Sequence, residues 1–84
     1  MNTTPRYARP RKRSLMLSGH ATSVSLEDDF WDAFRAIAAR RGLSPGALAA
    51  RIDRARGASC GLASAIRLFV LAEWRARGDD DAGG

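Results

Sequence analysis

The 84-residue sequence contains a single cysteine, Cys60, and a single histidine, His20. One cysteine excludes an internal disulfide, and two such residues are too few for a dedicated zinc site within one chain. The longest uninterrupted apolar run, residues 68–72, is far shorter than the roughly 20 residues that a membrane-spanning helix needs. We therefore expect no cofactor, no metal site, no membrane insertion and a cytoplasmic location.

The sequence also lacks the motifs of common catalytic sites. His20 follows Gly19 directly and has serines nearby. There is, however, no nucleophile elbow, and the chain is too short to build an enclosed substrate pocket. A histidine whose ring makes a turn or interface hydrogen bond is the better interpretation. We expect that the protein is not an enzyme.

Positive charge is present in excess and is concentrated at one end. The formal net charge is +5, and residues 1–13 alone carry five basic side chains, whereas residues 78–84 carry three successive aspartates. Neither end holds enough apolar surface to offset its ordering entropy, so we predict a disordered basic arm over 1–13, a domain over 14–77 and a disordered acidic tail over 78–84. A cationic arm is typical of a protein with a polyanionic partner, usually nucleic acid and less often an anionic membrane surface, but by itself it fits a merely solvated tail equally well.

Residues 20–26 have the pattern of a β-strand. Apolar Thr22, Val24 and Leu26 alternate with the small Ala21, Ser23 and Ser25, which gives one face for a core and one for solvent. A lone strand leaves both edges unpaired. The strand therefore needs a partner, either from residues 14–17, across the Ser18-Gly19 pair, or from another chain.

Three helices are predicted, at about 28–41, 45–56 and 62–77. For the first, Ser25 and Asp28 fit a capping box and Gly42 follows the end. For the second, Ser44 is a plausible N-cap before Pro45 at the first helical position. The third is apolar around much of its circumference, including Leu68 and Leu71, so we expect another subunit to cover part of it.

The order of a basic arm, a strand and helices joined by a Gly-x-Ser turn resembles the ribbon-helix-helix fold, the class of the Arc and MetJ repressors. The match is closer to a bacterial subfamily with one further helix. It covers about residues 13–75 and is carried by Arg13-Ser14, Gly19-His20-Ala21-Thr22-Ser23-Val24-Ser25-Leu26-Glu27, Phe30-Trp31, Arg41-Gly42-Leu43, Ile52-Asp53 and Leu62-Ala63-Ser64-Ala65-Ile66-Arg67. The resemblance implies a mainly α fold with a short β-ribbon, formed as an intertwined homodimer to which each chain gives one strand.

The resemblance also implies a site. The ribbon would enter the major groove with Ala21, Ser23 and Ser25 facing the bases, and the start of the second helix would bind a phosphate. With the arm, the expected phosphate contacts are Arg9, Arg11, Lys12, Arg13, Ser44, Gly46 and Ala47. The expected core or dimer residues are Val24, Leu26, Phe30, Phe34, Ile37, Leu48, Ile52, Ile66, Phe69, Val70 and Trp74.

One structural ion pair is predicted from the residues themselves, between Asp53 and Arg67, because each lies beside apolar core positions. The expected function is a sequence-selective DNA-binding transcriptional regulator, a repressor or an antitoxin-like protein, acting as a homodimer or as a dimer of dimers on DNA. Because serines discriminate poorly between bases, affinity would depend mainly on phosphate contacts. The alternative is a protein-interaction adaptor that uses the same dimer, with the third helix as its docking surface.

Overall fold

The computed structural model of the chain describes residues 4–58 and 60–83. Two strands, β1 (Arg11–Leu17) and β2 (His20–Leu26), precede three helices, α1 (Asp28–Arg40), α2 (Pro45–Arg56) and α3 (Leu62–Gly83). The predicted fold class, a short antiparallel ribbon followed by three helices, is confirmed. The homodimer stays a prediction.

The ribbon is a hairpin formed within one chain. Ser18 and Gly19 have φ angles of 51° and 84°, the positive values that a two-residue type I′ turn requires at both positions. The strands pair antiparallel from Leu17↔His20 to Arg11↔Leu26. Of the two partners that the sequence left open for β2, the structure shows the one in the same chain. A two-residue turn closes this pairing at a small entropic cost. The two-chain ribbon that the resemblance implied stays a prediction.

The basic arm is shorter than predicted. Arg11, Lys12 and Arg13 form the first part of β1, because their backbone groups pair with the end of β2. Ahead of the strand, Arg6 donates to Asp29 and Asp32 of α1, each at 2.6 Å, so the segment before β1 is tied to the domain as well. Residues 1–3 of the predicted arm lie outside the described residues.

The third helix is longer than predicted. It continues through Gly78 to Gly83, where the sequence suggested an unstructured tail. Extending an existing helix adds one backbone hydrogen bond for each residue that is fixed, so propagation past Arg77 is far easier than starting a new helix. Residue 84 lies outside the described residues.

The core lies between the inner face of the hairpin and the three helices. Leu15 from β1 joins eight of the predicted core residues, each at most 7% exposed: Val24, Leu26, Phe34, Ile37, Leu48, Ile52, Ile66 and Val70. Phe30 and Phe69 are half-buried against this cluster. Trp74 is 56% exposed and lies one turn beyond Val70, the last described residue of α3 that the core buries.

The helix starts differ in how they are capped. Ser44 caps α2 as predicted, since its Oγ accepts from the Ala47 N–H at 3.1 Å and Pro45 takes the first helical position. The predicted capping box of α1 is wrong: β2 extends through Leu26, so the N-cap is Glu27, whose side chain makes no cap bond. The two aspartates of the first turn still favour this end of the helix dipole.

Candidate nucleic-acid interface

One face of the hairpin is exposed along its whole length. It carries three side chains from each strand, paired across the ribbon as Lys12↔Ser25, Ser14↔Ser23 and Met16↔Ala21. We call these six residues the outer ribbon face. From the sequence, base contacts were expected only for the three in β2. The β1 half was not predicted, although the Ser18-Gly19 pair between two extended segments was the signal for a hairpin.

Lys12 is the single charged residue of the outer ribbon face. It lies opposite Ser25, at the end of the ribbon away from the turn. Serine hydroxyls donate to or accept from almost any base, whereas a lysine ammonium suits the paired acceptors of a guanine edge. The strongest candidate for direct base contact is therefore a residue that the sequence placed in the basic arm.

Arg13 faces the other way, into the domain. Its side chain is 14% exposed, and its guanidinium donates to the Leu26 carbonyl at 3.0 Å and to Asp28 Oδ1 at 2.5 Å. It also lies 5.6 Å from the centre of the Trp31 ring. Arg13 was expected to contact phosphate, but the structure gives it a structural role, because binding a phosphate would break these contacts.

The neighbouring Arg11 and Arg9 are far more accessible. The Arg11 side chain is 71% exposed, and its Nε lies 3.9 Å from Asp28 Oδ1, a loose pair that solvent screens. Arg9 is exposed in the segment before β1. Their contact with phosphate stays a prediction.

Three successive acidic residues, Glu27, Asp28 and Asp29, lie between the end of β2 and the first turn of α1. We call them the acidic corner. Hydrogen bonds from Arg13 hold the pKa of Asp28 below its ordinary value, and hydrogen bonds from Arg6 do the same for the pKa of Asp29. The pKa of Glu27 is lowered first by its own backbone N–H and then by Arg67. The acidic corner thus neutralises three arginines that the sequence could not distinguish from free cations.

The predicted ion pair between Asp53 and Arg67 is wrong. Arg67 Nη2 lies 2.8 Å from Glu27 Oε1 and 3.3 Å from the Ser25 carbonyl oxygen. These contacts hold α3 against the end of β2. Asp53 pairs instead with Arg56, three residues later on the same helix, at 2.7 Å. Neighbours at this spacing share one helix face, which makes the local pair the easier one to form.

The start of α2 lies against the edge of β1. A Cβ on Gly46 would stand 2.3 Å from the Met16 carbonyl oxygen, so only glycine permits this approach. Pro45 has no N–H, the Ala47 N–H is used by the cap, and the Leu48 N–H bonds to the Ser44 carbonyl. Of these first residues of α2, only Gly46 retains an N–H without a bond in the helix or its cap. The predicted phosphate site at Ser44, Gly46 and Ala47 is therefore smaller than expected.

Two further cations stand beside this helix start. Arg51 and Arg54 are exposed on α2 and line a groove shared with Met16 and Ser18, which connects them to the outer ribbon face. Neither forms an ion pair among the residues that the structure describes. Neither arginine was predicted to lie beside the ribbon, because no periodicity within α2 reveals which of its faces is next to the hairpin.

An apolar face of α3 remains exposed. Leu68, Leu71 and Trp74 are 61%, 43% and 56% exposed, and their side chains lie beside half-buried Phe30 and Phe69. Large exposed apolar side chains grouped on one helix often mark an interface. The prediction that another subunit covers this face stays a prediction.

Other kinds of site find little support. Within residues 4–58 and 60–83, no group of three or more metal-ligating side chains comes together. None of the helices described is long and apolar enough to cross a membrane. His20 is exposed at the turn end of the hairpin, in a cleft that Asp53 and Arg54 also line.

Comparison with known proteins agrees with this geometry. The sequence model of the ribbon-helix-helix domain family matches residues 10–74, a range that includes both strands, α1, α2 and most of α3. The chain belongs to the ribbon-helix-helix family. Members of this family are in general DNA-binding regulators that act as dimers, and the domain is typically not enzymatic.

A solved structure extends the likeness to three dimensions. An uncharacterized protein from Bordetella pertussis Tohama I superposes with a TM-score of 0.70 and is 35% identical in sequence. The match covers 84% of this chain but 60% of that protein, so the chain spans less than two thirds of its relative's length. Among curated proteins, no match was found.

Proposed function

We propose that this ribbon-helix-helix protein is a cytoplasmic, sequence-selective transcriptional regulator, a repressor or an antitoxin-like protein, that places its hairpin in the major groove of DNA. The observation that carries the proposal is the outer ribbon face, an exposed two-stranded surface bordered by Arg51 and Arg54. The major groove is wide enough to admit a two-stranded ribbon. Cations beside the ribbon would lie against the phosphates that flank the groove.

The expected affinity for DNA is mostly electrostatic. Arg9, Arg11, Arg51 and Arg54 are exposed cations near the ribbon, whereas Arg6, Arg13 and Arg67 are held by the acidic corner. Each phosphate contact adds about 0.9 to the slope of log affinity against log salt. The salt slope therefore counts the phosphate contacts that the protein makes.

The test measures binding of the full chain to duplex DNA by fluorescence anisotropy over a range of salt concentrations. R51Q/R54Q should lower the salt slope by about 1.8 if each arginine meets one phosphate. The matched control, R75Q/R77Q, removes the same charge from the exposed end of α3 and should change the slope much less. Salt-insensitive binding by the wild-type chain, or equal slopes for the two variants, would overturn the proposal.

The exposed apolar face of α3 supports a second candidate, a protein-interaction adaptor. We expect a homodimer in which a second copy covers Leu68, Leu71 and Trp74, and the adaptor would use the same residues for a different protein. Sedimentation equilibrium of the 9.1 kDa chain with and without duplex DNA separates the two. A dimer that binds DNA in a salt-sensitive way supports the regulator, whereas a dimer that is indifferent to DNA at moderate salt and forms a stable complex with another protein supports the adaptor.

A further inference from the structure

The connection between the ribbon and the first helix is a single residue. β2 ends at Leu26 and α1 begins at Asp28, so Glu27 alone separates the two elements. Its backbone is extended, with φ at −62° and ψ at 151°, and its side chain makes no bond to the start of the helix. The direction in which the ribbon leaves the helices is therefore set at Glu27, and the carboxylate of this residue is available for another contact.

Arg67 of α3 supplies that contact and a second one beside it. Its Nε donates to Glu27 Oε1 at 2.9 Å, and its Nη2 lies 2.8 Å from the same oxygen. The Nη2 group also donates to the Ser25 carbonyl oxygen at 3.3 Å. Ser25 and Glu27 flank Leu26, which is fully buried. The guanidinium thus holds the chain on both sides of the residue at which the strand ends.

The surroundings of Arg67 fix its own position. Ile66 and Val70 on the same helix are buried in the core, so the backbone of α3 is held there. The guanidinium stands 5.8 Å from the centre of the Phe30 ring in α1, and the Arg67 side chain is 29% exposed. A planar guanidinium that bonds to two acceptors and stacks on a ring is not replaced by a lysine. Arg67 therefore joins β2, the start of α1 and α3 in one network.

We propose that Arg67 is a positioning residue for DNA binding, which holds the ribbon at the angle to the helices that the DNA requires and does not itself contact the DNA. The inference rests on the proposed function, and it gives α3 a part in that function. The ribbon and the cations of α2 must meet one duplex together, so their relative orientation has to be held within about 10–20°. A ribbon that pivots at Glu27 would lose some of these contacts.

The chain contains a second pair of the same chemistry, which serves as a matched control. Arg41 Nη2 lies 2.7 Å from Glu73 Oε2 of α3, and the Arg41 guanidinium stands 5.2 Å from the centre of the Phe69 ring. Both pairs join α3 to one end of α1, with the arginine over a phenylalanine ring. Arg41 lies at the far end of α1, about 20 Å along the helix from Glu27. This pair supports the domain without holding the ribbon.

The test compares two double variants that leave the net charge unchanged. R67M/E27Q removes one positive and one negative charge, so a loss of DNA affinity does not come from net charge. We expect it to bind duplexes selected from a random-sequence library by the wild-type chain about fivefold or more weakly than the wild-type chain does. R41M/E73Q makes the same change at the far end of α1 and should bind as the wild type does. Fluorescence anisotropy measures the affinities, and circular dichroism shows that both variants fold and compares their Tm values.

R67K tests whether Arg67 contacts the DNA directly. A lysine also binds phosphate, so a direct contact would leave the affinity of R67K and its salt slope as in the wild type. An ammonium on a flexible stem does not bond to Glu27 and Ser25 in the geometry of the guanidinium while stacking on Phe30. We therefore expect R67K to bind several-fold more weakly than the wild type. A wild-type affinity for R67K would overturn the positioning role.

Hydrogen exchange followed by NMR tests the connection without DNA. Leu26 pairs with Arg11 across the ribbon, so its amide reports on the end of β2. In R67M/E27Q the amides of residues 24–28 should exchange faster than they do in R41M/E73Q, because the end of the strand opens locally. Equal exchange in the two variants would show that Arg67 does not hold this part of the chain, and would overturn the inference.

The outcomes separate the two proposals. If the wild-type chain binds DNA and R67M/E27Q binds equally well, the positioning role of Arg67 fails while the regulator itself stands. If the wild-type chain binds no DNA, the proposed function fails and the positioning role fails with it. Faster exchange at residues 24–28 would still establish in that case that Arg67 holds the ribbon against α1.

Discussion

The two faces of one hairpin show how a short strand divides its residues between stability and recognition. Leu15, Val24 and Leu26 on the inner face are at most 6% exposed and complete the core. Lys12, Ser14 and Met16 on the outer ribbon face come from the same seven-residue β1 and are all exposed. Successive side chains of a strand point to opposite faces. Replacing an inner residue is therefore expected to change stability, whereas replacing its outer neighbour is expected to change recognition.

The largest effect should come from deleting an inner side chain. L15A removes a side chain that is 6% exposed, and we expect a loss of about 2–5 kcal/mol in the free energy of unfolding, since a cavity remains between the hairpin and the helices. M16A changes the next residue, which is 62% exposed, and should stay within about 0.5 kcal/mol of wild type. Urea denaturation measures both, and equal losses would contradict the division of faces.

A smaller effect, but a sharper distinction, comes from two adjacent cations. R13M keeps the apolar stem of Arg13 but loses its bond to the Leu26 carbonyl at 3.0 Å, so we expect a loss of about 1 kcal/mol and a drop of several degrees in Tm. K12M should leave Tm unchanged, because Lys12 makes no described ion pair. Calorimetry of the two variants decides the matter, and a Tm drop in K12M as large as in R13M would show that Lys12 also supports the fold.

These contrasts also show what the sequence could predict. The alternation of Thr22, Val24 and Leu26 correctly indicated β2, and Ser44 before Pro45 correctly indicated the start of α2, because both signals are local. The sequence left open which chain supplies the partner strand of β2, because two strands make the same backbone hydrogen bonds whether they belong to one chain or to two. The two-residue turn at Ser18-Gly19 brings β1 alongside β2 within the chain. The two-chain ribbon that the resemblance implied stays a prediction.

The division of the arginines could not be predicted at all. Arg13 and Lys12 are adjacent basic residues, yet of the two only Arg13 forms an ion pair among the described residues. Their roles depend on where the acidic corner lies after folding, which is a long-range property. Glu27 lies 40 residues from Arg67 in the chain, yet the two side chains meet at 2.8 Å. Charge counting therefore overestimated the free positive charge available for DNA.

The smallest effect is a change in acid sensitivity at the acidic corner. The bond from Arg13 lowers the pKa of Asp28 below its ordinary 3.8, so the ionised carboxylate is favoured in the folded state. The stability this gives is fully present well above pH 3.8 and is lost as the pH falls from there through the lowered value. D28N removes the titrating group, so its Tm should be lower than that of wild type at pH 7, and its Tm should fall less between pH 5 and pH 2.

R13M provides the control for this assignment, because it leaves the Asp28 carboxylate in place and removes the donor that lowers its pKa. The Tm of R13M should then depend on pH almost as weakly as that of D28N. Thermal unfolding monitored by circular dichroism from pH 2 to pH 7 measures all three proteins. If R13M kept the full acid dependence of wild type, the lowered pKa of Asp28 would have to come from Arg11 and the helix dipole instead.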